Sequence, residues 1–176
     1  MPKMTCRRSR AVSCALALCA CAALASPALS QTPALTPPAS FDVAGRVTLL
    51  TAHGVGAQIY ECKPAAAGGN AWTFREPVAS QIAAGLTIGR HYAGPTWDLA
   101  QGGSVKGKQA ATAPGATTAD IALLKLEVIE HHGDGPLNAA TLVLRLNTKG
   151  GALSGPCDSA GELRPVPYSA DYLFLR

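Results

Sequence analysis

From residue 46 onward the chain consists of short apolar runs interrupted by glycine and proline, a pattern typical of β-strands. The clearest case spans residues 121–148, where side chains alternate with period two on both sides of a break at Gly133, Gly135 and Pro136. Such alternation places one set of side chains inward and the other outward. The region therefore predicts a β-hairpin. The alternating residues are Leu124, Leu126 and Val128 against Lys125, Glu127 and Ile129, then Leu142, Leu144 and Leu146 against Val143, Arg145 and Asn147.

Further strands follow along the chain. We expect them at residues 46–52, 57–63, 71–75, 86–92 and 168–175, with a turn at 53–56 and Pro77 ending the third of these strands. Only residues 78–84 have the composition for a helical turn or two. Strands with apolar faces must pair or close on one another. Residues 41–176 are therefore predicted to form a single antiparallel β-sandwich or partly open β-barrel with at most one short helix.

The N-terminus has a different composition. Residues 1–30 combine a basic start, an apolar run at 11–24 and small residues spaced for cleavage after Ala25 or Ser30. This combination predicts a secretory signal peptide, while Cys21 offers a second possibility, lipid anchoring. Residues 31–40 form a Pro-rich lead-in, which we expect to be extended and mobile. The protein is thus predicted to be exported, to the periplasm or the extracellular space.

Removal of the leader changes the charge balance. The leader holds four of the fifteen basic residues and none of the eleven acidic ones, so the mature chain carries equal numbers of each. A neutral domain without a basic cluster gives no reason to expect nucleic acid as a partner. No second long apolar run follows, so we expect no transmembrane anchor.

Only Cys62 and Cys157 remain after cleavage. In an oxidising compartment a lone pair of cysteines most often forms a disulfide, and the alternatives are a metal pair or a reactive thiol. Neither cysteine has a second ligand at metal-binding spacing, so no metal is expected. A Gly-x-Gly-x-x-Gly unit and a Gly-x-Ser-x-Gly unit are also missing, so the sequence predicts no cofactor and no recognisable nucleophile.

The best candidate for a ligand-binding surface is the segment with His91, Tyr92, Trp97 and Asp98 around the turn at Gly94-Pro95. A histidine can act as a base or a ligand, an aspartate can orient it, and aromatic rings can stack on a guest. The alternative is that the aromatic residues belong to the core and His91 bonds to a backbone carbonyl. If His91 and Trp97 are buried, a catalytic role for His91 with Asp98 loses support.

Two other polar clusters favour structural interpretations. Adjacent His131 and His132 point to opposite faces of a strand, so we interpret residues 131–134 as a solvated turn and not as a metal site. We interpret Tyr168, Asp171 and Tyr172 as parts of a final strand with alternate faces.

Several segments together resemble a known family. They are Gly56 to Cys62, Ala71 to Phe74 with Pro77, His91 to Trp97, Arg145 to Gly151, Cys157-Asp158 and Val166 to Tyr172. In order and spacing they are similar to the exported bacterial and fungal proteins grouped as domain of unknown function family 3455, over residues 41 to 176. Many relatives carry a Pro-Trp pair where this chain has Asp120-Ile121-Ala122. The resemblance implies a single exported domain and supplies no reaction.

Three functional hypotheses follow. The first is a non-catalytic exported module that binds a small molecule, a glycan or a partner in the cell envelope. The second is an enzyme of unrecognised type that uses His91 and Asp98, with Asp171 or Tyr92 as further candidates. The third is a stress-related structural protein without a ligand. Export, neutral charge and missing nucleophile motifs favour the first, and fold alone does not decide among them.

Overall fold

The computed structural model describes residues 35–66 and 68–176. The predicted signal peptide, both cleavage positions and Cys21 lie outside the described residues. The chain forms one 3₁₀ turn at Ala39–Phe41 and eight strands. The strands are β1 Thr48–Pro64, β2 Asn70–Ala83, β3 Leu86–Tyr92, β4 Thr96–Leu99, β5 Ser104–Ala113, β6 Leu123–His132, β7 Leu142–Gly150 and β8 Leu163–Leu175.

Each strand pairs antiparallel with its neighbours in sequence, and β1 also pairs with β8. The sheet therefore closes into an eight-stranded barrel, which leaves it no unpaired edge. The prediction of a mainly β, antiparallel domain is confirmed, and its architecture is a barrel that is fully closed. The hairpin predicted over residues 121–148 is β6 and β7. Within the described residues no helix has the length and apolar character needed to span a bilayer.

The turn predicted at residues 53–56 is wrong, because β1 runs through this region without a break. The two glycines of this region, Gly54 and Gly56, let neighbouring residues approach β1 closely, and they do not change the direction of the chain. A Cβ atom at Gly54 would lie 2.5 Å from Cε2 of Tyr172, and one at Gly56 would overlap the carbonyl oxygen of Val78. Only glycine fits at such points of a strand.

The second correction concerns residues 78–84, where a helical turn was expected. Residues 78–83 belong to β2, which also passes through Pro77 without ending there. Ala84 and Gly85 then form a two-residue hairpin loop with φ of 48° and 76°. Positive φ at both loop positions is the conformation that matches the twist of a hairpin. Pairing of β2 with its neighbouring strands therefore outweighs the local helix propensity of this segment.

Two apolar layers lie on opposite sides of β7 and β8. The inner layer fills the barrel and includes Val143 and Phe174. The outer layer contains the alternate residues Leu142, Leu144, Leu146, Leu173 and Leu175, covered by the N-terminal segment through Phe41, Leu35 and Val43. Phe41 has no exposed surface. The described part of the Pro-rich lead-in thus contacts the barrel wall through Leu35.

Cys62 and Cys157 form the predicted disulfide, with Cα atoms 5.9 Å apart. The bond joins β1 to the long connection between β7 and β8. Tyr60, Cys62 and Trp72 form a small buried cluster beside it, against which Leu153 packs. The disulfide therefore anchors this connection next to one end of the barrel.

Candidate functional site

A cavity of about 530 Å³ lies at the end of the barrel where β7 meets the start of β8. This volume is within the range of small-molecule sites, which combine an apolar lining with a few placed polar groups. The apolar lining includes Phe74, Pro77, Pro95, Ile121, Leu124 and Leu153, and the polar lining includes Gln58, Tyr60, Arg75, His91, Gln109, Asp120 and Arg145. Asp120, Ile121 and Ala122, which directly precede β6, all line this cavity.

The rest of the barrel interior is filled by side chains. Along β8 the inward residues are Tyr168, Ala170, Tyr172 and Phe174, all buried. Trp97 packs on Tyr172 and Phe174 with ring centroids 5.5 Å and 5.9 Å away. An eight-stranded barrel has just enough interior for such packing. The barrel interior is thus filled with side chains at the end that contains Phe174, and the cavity lies at the end that contains Tyr168.

Arg145 is the charged side chain that β7 directs into the barrel. Its Nε and Nη2 donate hydrogen bonds of 3.1 Å and 2.9 Å to the carbonyl oxygen of Ala122. Burial lowers the pKa of Arg145, but a guanidinium stays charged at neutral pH. Among the described residues no carboxylate lies within ion-pair distance of it. The cavity therefore contains a partly buried positive charge without a counter-ion from the described part of the chain.

Two tyrosines stand next to this charge. Tyr172 is the cross-strand partner of Arg145, and its hydroxyl lies 3.2 Å from that of Tyr168. Burial raises the pKa of both phenols, which are therefore neutral at physiological pH. Both tyrosines favour the charged form of Arg145, Tyr172 also as a hydrogen-bond partner, but as neutral phenols they supply no negative charge.

Several buried side-chain polar atoms have no hydrogen-bond partner in the described part of the chain. Within the described residues they are Nε2 of Gln58, Nε2 and Oε1 of Gln81, Nε1 of Trp97 and Oγ1 of Thr148. Leaving such an atom unpaired costs about 1–3 kcal/mol, so each of them calls for an explanation. Gln58 is 2% exposed and lines the cavity, with its amide beside the phenol of Tyr168.

His91 also lines the cavity, and its ring stacks on Trp97 with centroids 4.4 Å apart. Its Nδ1 lies 2.8 Å from the carbonyl oxygen of Thr96 and donates to it, which leaves Nε2 as an acceptor. The pKa of His91 is lowered to about 4, mainly by burial, with a further contribution from the charge of Arg145. The ring is therefore neutral at pH 7.

The four residues predicted to form a site lie on two different faces. His91 and Trp97 are cross-strand partners inside the barrel, whereas Tyr92 and Asp98 lie on the outer surface. There Arg90 bonds to Asp98 at 2.8 Å and lies 5.1 Å from the ring centroid of Tyr92. The structure thus brings His91 to the cavity and does not bring Asp98 to His91.

The residues of the polar cluster on β8 also lie on two different faces of the sheet. Asp171 lies on the outer surface, 2.7 Å from Nδ1 of His53, while Tyr168 and Tyr172 face inward. His131 bonds to the backbone of Ala140. No group of three or more potential metal ligands occurs among the described residues.

Gln58, Arg145 and the inward tyrosines were not predicted as site residues. The alternation in β7 indicates that Arg145 and Val143 share a face, but it does not say that this face lines the barrel. A charged residue flanked by apolar residues within a predicted strand is the pattern that would have drawn attention to Arg145.

The family described as "Protein of unknown function (DUF3455)" matches residues 43–176 of the chain. No curated protein and no solved structure matches the chain.

Proposed function

The chain belongs to this family, and we propose that it is an exported, non-catalytic binding protein that holds a small organic molecule in the barrel cavity. The observation that carries this proposal is the side chain of Gln58. It is buried, it lines a cavity of ligand size, and its amide nitrogen makes no hydrogen bond of ordinary geometry to a described residue, although the amide is close enough to the phenol of Tyr168 to lower the pKa of that group. A guest with an acceptor group removes the cost of that unpaired donor.

The lining supports a small organic guest. Apolar side chains such as Phe74, Ile121 and Leu153 offer a surface for a hydrocarbon body, while Gln58 and Arg145 offer donors at the wall. A few polar groups in an apolar lining are what fix the orientation of a small ligand. A purely structural barrel would gain stability by replacing these groups with apolar ones.

Export is part of the proposal. It rests on the predicted signal peptide at residues 1–30 and on the disulfide between Cys62 and Cys157. Structural disulfides form and persist in oxidising compartments such as the periplasm and the extracellular space. A binding protein in that location meets small molecules from the environment or the cell envelope.

The separation of His91 from Asp98 favours binding over catalysis by these two residues. An imidazole that acts as a base is usually oriented by a carboxylate, and its pKa lies near the working pH. His91 instead bonds to a backbone carbonyl and has a pKa of about 4.

A ligand screen tests the proposal directly. The mature protein is screened by thermal shift and ligand-observed NMR against small organic acids, amides, alcohols and sugars. Hits are then measured on two variants, Gln109→Trp at the cavity wall and Gln101→Trp in an exposed turn outside the cavity lining. We expect binding to be lost in the first and kept in the second. No hits, or hits that Gln109→Trp leaves unchanged, would contradict the proposal.

A further inference from the structure

The uncompensated charge of Arg145 indicates the chemical class of the guest. Buried charges in proteins are normally paired, because the cost of removing an ion from water is large. Here Arg145 donates two hydrogen bonds to one neutral oxygen, that of Ala122, and its further hydrogen-bond partner is the phenol of Tyr172. The nearby phenols of Tyr168 and Tyr172 are neutral as well. Within the described chain, nothing close to the guanidinium neutralises it.

The one acidic side chain in the described lining is already occupied. One oxygen of Asp120 accepts from the backbone N–H of Gly150 at 2.6 Å. The other accepts from the N–H and the hydroxyl of Thr117 at 3.0 Å and 2.8 Å. These bonds hold the 117–120 turn against the end of β7, and they lower the pKa of Asp120. Its carboxylate therefore stabilises this turn and is not the partner of Arg145.

We infer that the ligand of the cavity is a small organic acid whose carboxylate is bound by Arg145, an inference that rests on the proposed function. A guanidinium presents several N–H donors in one plane, a geometry that matches the two oxygens of a carboxylate. The bonds to Ala122 fix the orientation of that plane, the neutral phenol of Tyr172 is a further partner, and the remaining donors are left for a guest. The donor amide of Gln58 adds a second polar contact to the same cavity.

The rest of the lining favours a carboxylate over a more highly charged anion. His91 is neutral and cannot add a second buried positive charge. Arg75, the other cation of the lining, is exposed and ion-paired with Glu76 at 3.2 Å. One buried charge beside Phe74, Leu124 and Leu153 suits a monoanion with an apolar body.

Matched probes test the inference. Benzoate and hexanoate are compared by titration calorimetry with benzamide and hexanamide, which have the same shapes without the charge, and with phenyl phosphate. We expect each acid to bind the wild-type protein at least tenfold more tightly than its amide. Arg145→Gln should remove this preference. Arg90→Gln removes the same charge from the outer surface, away from the cavity lining, and should keep it.

The outcomes separate the two proposals. Amides that bind as tightly as acids, or an acid preference that survives Arg145→Gln, would overturn the organic-acid inference while leaving cavity binding intact. Phenyl phosphate binding more tightly than benzoate would overturn the choice of a carboxylate. If no acid binds, the inference fails, and if the wider screen also yields no ligand, the proposed function fails with it.

A measurement on the wild-type protein covers the possibility that Arg145→Gln does not fold. The side-chain Nε resonances of ¹⁵N-labelled protein are followed while benzoate is added. We expect the Arg145 resonance to shift in a saturable manner and that of Arg90, which is exposed and outside the cavity lining, to stay nearly constant. An unmoved Arg145 resonance under saturating benzoate would overturn the inference.

Discussion

The imidazole ring of His91 lies flat on the indole of Trp97, with ring centroids 4.4 Å apart and planes 8° from parallel. Both residues are buried, and Tyr172 closes the group from another side with its ring centroid 5.2 Å from that of His91. A charged imidazolium in this place would lose its hydration and would face the positive charge of Arg145. The packing of the barrel interior therefore requires the neutral form of His91.

This requirement predicts a loss of stability in mild acid. The pKa of His91 falls from 6.5 in the unfolded chain to about 4 in the folded one. Below pH 6.5 the unfolded chain binds a proton that the folded chain excludes, so the free energy of unfolding decreases as the pH falls. Between pH 6.5 and pH 4 the decrease is about 3 kcal/mol, and well above pH 6.5, where the unfolded chain also loses this proton, His91 contributes no slope.

Urea unfolding at several pH values measures this effect. In His91→Phe, an aromatic ring still faces Trp97 but cannot bind a proton, so most of the slope between pH 6.5 and pH 4 should disappear. At pH 7 the same variant should be less stable by about 1–3 kcal/mol, because the carbonyl of Thr96 loses its donor. Identical slopes for both proteins would show that His91 does not control the acid sensitivity.

The N-terminal segment is expected to stabilise the barrel through Phe41. This ring has no exposed surface and covers the outer faces of β7 and β8. Phe41→Ala should therefore lower the free energy of unfolding by about 3–5 kcal/mol. Leu86→Ala, at a side chain that is 69% exposed, should change it by less than about 0.5 kcal/mol. Chemical denaturation of the two variants side by side measures both effects, and equal small losses would contradict this role for the segment.

Strand content was accessible from the sequence, because period-two alternation and turn residues are local properties. The orientation of β7 was not. Leu142, Leu144 and Leu146 look like the inward face of a strand, yet they point outward because the segment around Phe41 covers them. That cover comes from a part of the chain distant in sequence, so no local pattern reports it. Arg145 was overlooked as a site residue for the same reason.

The candidate site was predicted in part. The tight turn after Tyr92 pairs His91 with Trp97 and Arg90 with Asp98, so His91 and Asp98 necessarily face opposite sides of the sheet. This consequence follows from the register of the hairpin, which the sequence leaves open. The sequence predicts a turn at Gly54, whereas the structure shows this glycine in contact with Tyr172 on β8, a strand that is paired with β1 but distant from it in sequence.

That contact predicts the effect of a single methyl group. In Gly54→Ala the new Cβ atom would lie 2.5 Å from Cε2 of Tyr172 and 3.0 Å from Nε2 of Gln81. Overpacking of a filled interior typically costs about 1–3 kcal/mol. The neighbouring outward residue gives a control, since Val55→Ala on the exposed face should have a smaller effect. Thermal unfolding compares them, and an unchanged melting temperature in Gly54→Ala would contradict the close contact.

Export predicts a processed N-terminus. When the full chain is expressed in a bacterial host, the exported protein should begin at Ser26 or Gln31, as determined by N-terminal sequencing and intact mass. A variant with Leu16→Arg and Leu18→Arg interrupts the apolar run and should remain unprocessed. Unprocessed wild-type protein in the cytoplasm would contradict export, and a lipid-modified start at Cys21 would instead indicate an anchored protein.

The disulfide is expected to contribute strongly to stability, because Cys62 and Cys157 are separated by 95 positions. Closing a loop of that length restricts the unfolded chain by about 4–5 kcal/mol in the chain-entropy model, against a net stability of about 5–15 kcal/mol for a typical domain. Cys62→Ser and Cys157→Ser should each lose several kcal/mol in denaturation experiments. Reductant should lower the melting temperature of the wild-type protein and leave both variants unchanged. Two titratable thiols in the native, oxidatively folded protein would contradict the bond, as would a reductant effect of equal size in the variants.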